Sequence, residues 1–232
     1  MKVAFSYKGT FNVDYIKKYG VDEIVFKNVD DTIDNNIEKI FNVLRSLNYR
    51  VDTFISTYKI HDKVDGEWIR RMSPSEFYQG EPIYSSPTTI PQLEHFKRLI
   101  NMILKEEEKV GEQYDLLIFT RLDIKMLKSY DELNINVDDF NIILKNQGGG
   151  CDDNFFVFPR KYFNQFIESI NSLYSNNEII HRINYELQNR GVAINYMEEL
   201  DPDIYMGHKA FEFVRCGSDP NDVFSINSNF SR

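Results

Sequence analysis

The sequence predicts an α/β protein: a mixed, mainly parallel central sheet flanked by helices. Three observations predict it. Tyr114 to Ile124 is an apolar run that stops at Arg121 and Asp123, and an apolar run bounded by polar residues reads as a strand buried on both faces. Residues 2–58 read as strand, helix, strand, an order that favours a parallel crossover. Apolar segments of strand and helix period then continue to about residue 197, in a chain of 232 residues that is 42% hydrophobic and 14% aromatic. That content supplies one substantial core and a single domain over 1–232.

The elements follow in order. Lys2 to Tyr7 is apolar and alternating enough for a first strand, and Gly9 follows it. Ile33, Ile37, Ile40, Phe41 and Leu44 share one face at helical spacing, with Asp30, Asp31 or Thr32 as the cap. Arg50 to Tyr58 is the next strand. Residues 59–91 read as irregular, because Pro74, Gly80, Pro82, Pro87 and Pro91 interrupt every long element. A connection of that length is either functional or a passive excursion. A helix starts at Pro91, with Leu93, Phe96, Ile100, Ile103 and Leu104 as its stripe and Lys105 to Lys109 as its solvated end. After the strand at 114–124, Phe140 to Leu144 and Asn154 to Phe158 read as strands, the second stopped by Pro159. Phe163, Phe166, Ile167 and Ile170 pattern one helix. Ile179, Ile180, Ile183 and Leu187 pattern another, ended by Gly191. Val192 to Met197 reads as a last core strand, and Phe211 to Val214 as a short terminal one.

Composition excludes several classes. The formal net charge is −9 and the acidic residues are dispersed, a balance that argues against nonspecific binding to nucleic acid, which wants a basic patch, and leaves room for a local basic pocket for a phosphorylated small molecule. Cys151 and Cys216 lack metal-site spacing and make no disulfide framework. They read as reduced thiols of a cytoplasmic compartment, or as one pair with each other. Met1 to Ser6 is too short for a signal segment, and no stretch reaches the roughly 18 apolar residues that span a bilayer. No nucleophile elbow, paired-histidine zinc motif or CxxC occurs.

Three constellations carry chemistry. The first is Arg121, Leu122 and Asp123 at the carboxyl end of a buried strand, where ligands bind in open α/β sheets. Asp123 suits a divalent cation, directly or through water, and the Arg121 fork suits phosphate. The same pair also fits an ordinary salt bridge at the sheet edge. The second is Gly149, Gly150, Cys151, Asp152, Asp153 and Asn154 ahead of a strand. Asp153 or Asp152 would take a proton from an attacking hydroxyl, or cap a polar turn. Adjacent residues of a strand point to opposite sides, so at most one faces a given cleft. The third is Ser6, Tyr7, Lys8 and Gly9 past the first strand. There Lys8 would meet a phosphate and Tyr7 would stack on a base. Thr57 and Tyr58 end the next strand in the same way. His208 is a late histidine that would reach a metal or a diphosphate, or sit on the surface. His61, His95 and His181 show no pattern.

Val51 to Tyr58, then Tyr114 to Ile124, then Asp153 to Val157 before a helix, together resemble small glycosyltransferases of the GT-A fold. Such enzymes occur in bacterial surface-polysaccharide clusters and in large DNA viruses of algae, which glycosylate their own capsids. The resemblance covers roughly residues 1–200. It implies a nucleotide-sugar-binding half (1–125) and an acceptor-binding half (126–232). It implies a nucleotide-diphosphate sugar donor, a glycan or glycoprotein acceptor, and Mn²⁺ or Mg²⁺. It places the protein in the cytoplasm, the host's if viral. Asp123 matches the last aspartate of the family's Asp-x-Asp metal motif. Arg121 stands where the first would be, which leaves one protein carboxylate and more of the coordination to the phosphates. Asp153 matches the acidic residue before the acceptor-side strand. A non-catalytic nucleotide- or carbohydrate-binding module of the same fold and a nucleotidyltransferase are the alternatives.

Overall fold

The computed structural model describes residues 1–9, 13–16, 23–26, 30–58, 67–80, 89–122, 124–145, 149–198 and 210–213. In chain order these form β1 (Lys2–Lys8), β2 (Val13–Ile16), β3 (Glu23–Phe26), α1 (Asp30–Asn36), a π-helical turn (Ile37–Phe41), α2 (Asn42–Ser46), β4 (Arg50–Tyr58), α3 (Glu67–Met72), β5 (Glu76–Gly80), α4 (Thr89–Val110), β6 (Leu116–Arg121), β7 (Ile124–Met126), β8 (Phe140–Ile142), β9 (Phe155–Pro159), α5 (Phe163–Ser175), α6 (Ile183–Asn189), β10 (Ile194–Tyr196) and β11 (Phe211–Phe213).

Seven of the strands make one sheet in the order β10-β8-β9-β6-β1-β4-β5. β5, β4, β1 and β6 are mutually parallel. β9 runs antiparallel to both β6 and β8, and β10 is parallel to β8. β9 is therefore the single reversed strand, and its amino end lies at the same edge as the carboxyl ends of the others. β11 pairs antiparallel with β7, and β2 with β3, in two small ribbons.

Alternation along the strands divides the core between two faces. Val3, Phe5 and Tyr7 of β1 join Ile55, Leu116, Ile118, Phe155 and Val157 under Ile33, Ile40, Phe41 and Leu44. Ala4, Phe54, Leu117, Phe119, Phe156 and Phe158 lie on the other face, under Phe96 and Ile103 of α4, Phe166 of α5 and Ile183 and Leu187 of α6. The helix-period stripes expected in α1–α2, α4 and α5 are the buried faces, except that Leu104 is 38% exposed. The π turn adds a residue to the first stripe yet keeps Ile40, Phe41 and Leu44 inside.

Three local endings explain why the helices stop. α6 closes on Gly191 (φ 73°). Its N–H donates to the Gln188 carbonyl and that of Val192 to the Leu187 carbonyl, the paired bonds of a Schellman cap. Asn48 and Asn177, with φ of 59° and 54°, close α2 and α5 through the same bond pattern.

Two expectations are corrected. Residues 59–91 are not wholly irregular: α3 and the edge strand β5 lie within them, and α4 starts at Thr89. β5 (EFYQG) escapes an apolar reading because an edge strand leaves part of its surface to water. Glu76, Phe77 and Gln79 are half-buried and Tyr78 is exposed. The strand expected at 192–197 as core is likewise the opposite edge, with every residue of β10 half-buried.

Candidate functional site

Strand order reverses at β1, whose neighbours are β4 on one side and β6 on the other. The next strand in sequence therefore leaves β1 in opposite directions, which opens a crevice at the carboxyl edge, the usual ligand position in open α/β sheets. Register sets what faces that crevice. Lys8, the last residue of β1, lies opposite Ser56 of β4 and Arg121 of β6. Thr120 lies opposite Phe155, which brings Asp152, Asp153 and Asn154, just before β9, to the same edge.

Lys8 and Asp153 form a buried ion pair: Nζ lies 2.9 Å from Oδ2, with the two side chains 3% and 4% exposed. The ammonium also sits 4.6 Å from the centroid of the Phe96 ring on α4, a cation–π placement. Burial alone would raise the Asp153 carboxyl, but the charges of Lys8, His181 and Arg121 and the Lys8 hydrogen bond outweigh it and hold the group at about 2. Asp152 has a different task. Its Oδ1 accepts the Asn154 N–H at 2.8 Å and its Oδ2 accepts the Asn154 side-chain N–H at 2.6 Å. That local bonding ties the chain entrance of β9. Alternation does not apply here, because both carboxylates precede the strand and both are buried.

Two histidines complete the edge. His95 of α4 is 2% exposed, with Nδ1 2.8 Å from the Ser56 hydroxyl. Burial, then the nearby charges of Arg98 and Lys8, lower it to about 3, so it is neutral at ordinary pH. The linkage has a definite sign. An unfolded imidazole takes up a proton below about pH 6.5, and the folded one does not until about pH 3. Stability is therefore expected to fall as pH drops through that window, by up to about 1.4 kcal/mol per pH unit. Urea midpoints measured from pH 7 to 4 should show this slope, and His95→Gln should flatten it. An unchanged slope in that variant would place the proton uptake elsewhere.

His181 lies ahead of α6. Its Nδ1 is 2.9 Å from the Cys151 carbonyl oxygen and 3.6 Å from Asp153 Oδ1. Gly150 permits this approach: a Cβ there would sit 2.8 Å from the His181 carbonyl oxygen, closer than real side chains come. The Cys151 N–H donates to that same oxygen at 2.8 Å. Cys151 is buried and unpaired, and burial pushes its thiol up to about 12. It is an inert packing residue rather than a nucleophile.

The structure thus brings together Lys8, Arg121, Asp152 and Asp153 from the expected residues. Gly9 follows Lys8 with open space where a side chain would be. Others are placed differently. Tyr7 shares the face of Val3 and Phe5, is 1% exposed and packs on Phe5 and Phe41. No ring face is open to a base, which corrects the stacking role expected of it. Ser6 and Thr57 are fully buried, with hydroxyls that have no partner among the described residues. Leu122 is a core residue whose N–H donates to the Lys8 carbonyl at 3.2 Å. The Tyr58 side chain, Asp123 and His208 lie outside the described residues. His95 and His181 were missed because nothing in their sequence neighbourhood marks them; both reach the edge from helical segments on the second face of the sheet.

A metal can be tested against these donors. Among the described residues, no group of three or more His, Cys, Asp or Glu is arranged to hold one. Asp153 is committed to Lys8 and Asp152 to Asn154. The described carboxylates of the edge are thus engaged by the chain itself, and Asp123 and His208 lie outside the described residues.

No protein-family model matches the chain, and no curated protein matches it in sequence. Solved structures do match in shape. A nucleoside-diphosphate-sugar pyrophosphorylase from Vibrio cholerae RC9 superposes with a TM-score of 0.52 at 14% identity, over 97% of this chain and 98% of that one. A glycosyltransferase involved in the glycosylation of the major capsid of PBCV-1 gives 0.43 at 10% identity, over 84% of this chain and 81% of that one. The chain has the GT-A-like fold of nucleotide-diphospho-sugar transferases. At 14% identity the first likeness shows the fold alone. Among the described residues, no helix is long and apolar enough to cross a membrane.

Proposed function

We propose that this protein is a glycosyltransferase that moves a sugar from a nucleotide-diphosphate sugar to a glycan or glycoprotein acceptor. The observation that carries the reading is Arg121, half-buried at the carboxyl end of β6 beside the point where the strand order reverses. Its planar guanidinium suits a diphosphate as a bidentate partner, while Lys8 beside it is held in the buried pair with Asp153. Departure of the nucleoside diphosphate adds negative charge to the leaving oxygen, and fixed positive groups stabilise it. Fold does not determine function, so the reading rests on these side chains.

A divalent ion, Mn²⁺ or Mg²⁺, belongs to the proposal, with Asp123 and His208 as its protein ligands. When bound it would offset charge on the two phosphates. The described residues add no further ligand, which assigns most of the coordination to donor oxygens and water.

A panel of UDP-, GDP- and dTDP-sugars, incubated with and without Mn²⁺, tests the reading through released nucleoside diphosphate. Asp123→Ala is expected to abolish the metal-dependent part of donor binding at an unchanged melting temperature; unchanged binding removes Asp123 from the metal site. Tight donor binding without turnover would instead indicate a binding module. Pyrophosphate released from a nucleoside triphosphate and a sugar phosphate would indicate a nucleotidyltransferase. That second reading gains support from the name of the pyrophosphorylase whose fold the chain shares.

A further inference from the structure

We infer that His181, rather than an aspartate, takes the proton from the acceptor hydroxyl, with the Cys151 carbonyl orienting its ring and Asp153 as the facing negative charge. This rests on the transferase reading above. Asp153 is 3% exposed and one of its oxygens is 2.9 Å from the Lys8 ammonium. A carboxylate buried and paired in this way is neither accessible to an acceptor nor basic. His181 is its opposite. The side chain is 44% exposed and lines a cavity of about 710 Å³ together with Gly150, Asn176, Tyr185 and Glu186.

The tautomer follows from geometry. Nδ1 lies 2.9 Å from the Cys151 carbonyl oxygen, and a carbonyl only accepts. Nδ1 therefore carries the hydrogen, and the neutral ring keeps its lone pair at Nε2. Asp153 Oδ1, at 3.6 Å, is the negative charge that faces the ring once it is protonated. A base oriented by a third group is the recurring pattern of an activated proton acceptor. Other charges surround the ring: Lys8 beyond Asp153, Glu178 and Arg182 paired with each other at 3.1 Å, and Glu186 on α6.

The step balances. The acceptor oxygen bonds to the anomeric carbon as its O–H bond breaks, and the proton moves to His181 Nε2. The bond from that carbon to the phosphate oxygen breaks, and its electron pair leaves with the nucleoside diphosphate. The imidazolium then returns the proton to solvent. Tyr185 gives the cavity an exposed ring for the acceptor: it is 43% exposed.

The test uses UDP-, GDP- and dTDP-hexoses with Mn²⁺ and water as acceptor, reading nucleoside diphosphate release, with donor affinity by calorimetry. His181→Gln is expected to lower the rate by about 100-fold or more while donor affinity stays within twofold. Added imidazole should restore His181→Gly. The acid limb of the wild-type rate profile should vanish in the Gln variant. Wild-type rate and profile in that variant overturn the assignment and leave the transferase reading standing. No donor binding and no release by the wild-type protein overturn both. Should the variants fail to fold, diethyl pyrocarbonate on the wild-type protein decides: a full rate with His181 carbethoxylated, located by mass spectrometry, overturns the assignment.

Discussion

Lys8→Met is expected to lower the unfolding free energy by about 3–5 kcal/mol. The cost comes from the partner left behind. Asp153 is buried and its carboxyl is held at about 2 by Lys8, His181 and Arg121 against the burial that would raise it. Without Lys8 the nearest counter-charge is gone, and a buried carboxylate must pay its desolvation nearly alone. The double variant Lys8→Met/Asp153→Leu removes both charges and should regain most of the stability. Urea denaturation of the single and double variants checks both results. Equal stability of wild type and Lys8→Met would mean that the pair contributes nothing to the fold. The pH dependence has its own sign. The folded carboxyl titrates lower than an unfolded one, so the stability that the pair supplies is complete above about pH 4 and is lost as pH falls toward 2.

Phe96→Ala is the second large effect, at about 3–5 kcal/mol. The ring packs against Phe119, Phe156 and Phe166 with centroids 5.7, 5.9 and 5.7 Å away. It joins three elements in one aromatic cluster: α4, the β6–β9 pair and α5. Truncation leaves a cavity that rigid neighbours cannot close. For a chain of this size, each kcal/mol shifts the melting temperature by roughly 2–4 °C, so calorimetry should find a fall of about 10 °C. The same change removes the aromatic face under the Lys8 ammonium. Phe96→Leu keeps most of the volume but no ring, and should recover much of the stability. A loss below about 1 kcal/mol for Phe96→Ala would mean that the cluster repacks.

The fold was legible where burial is two-sided. β6 and β9 are near-continuous apolar runs because helices cover both faces of the sheet, β1 and β4 keep apolar residues between polar ones, and α4 and α5 announce themselves by helical spacing. Legibility failed at the rims. β5 has water along one margin and carries Glu76, Tyr78 and Gln79, so its composition is that of a loop. The site divides in the same way. Lys8, Arg121, Asp152 and Asp153 stand out because each is a polar residue at the end of an apolar run. Tyr7 stands out for the same reason, but one position of alternation turns it into the core.

Local sequence, by itself, determined the central strands, the long helices and which polar residues sit at strand ends. Those are matters of side-chain period and backbone preference over a few residues. Only the tertiary structure decided that Lys8 meets Asp153 across 145 positions, that His181 stands beside that pair, and that His95 enters beneath it from α4. Such meetings depend on strand order, on the reversal of β9 and on register. These are set by how the apolar faces of distant segments satisfy one another, and no short stretch of chain carries that information.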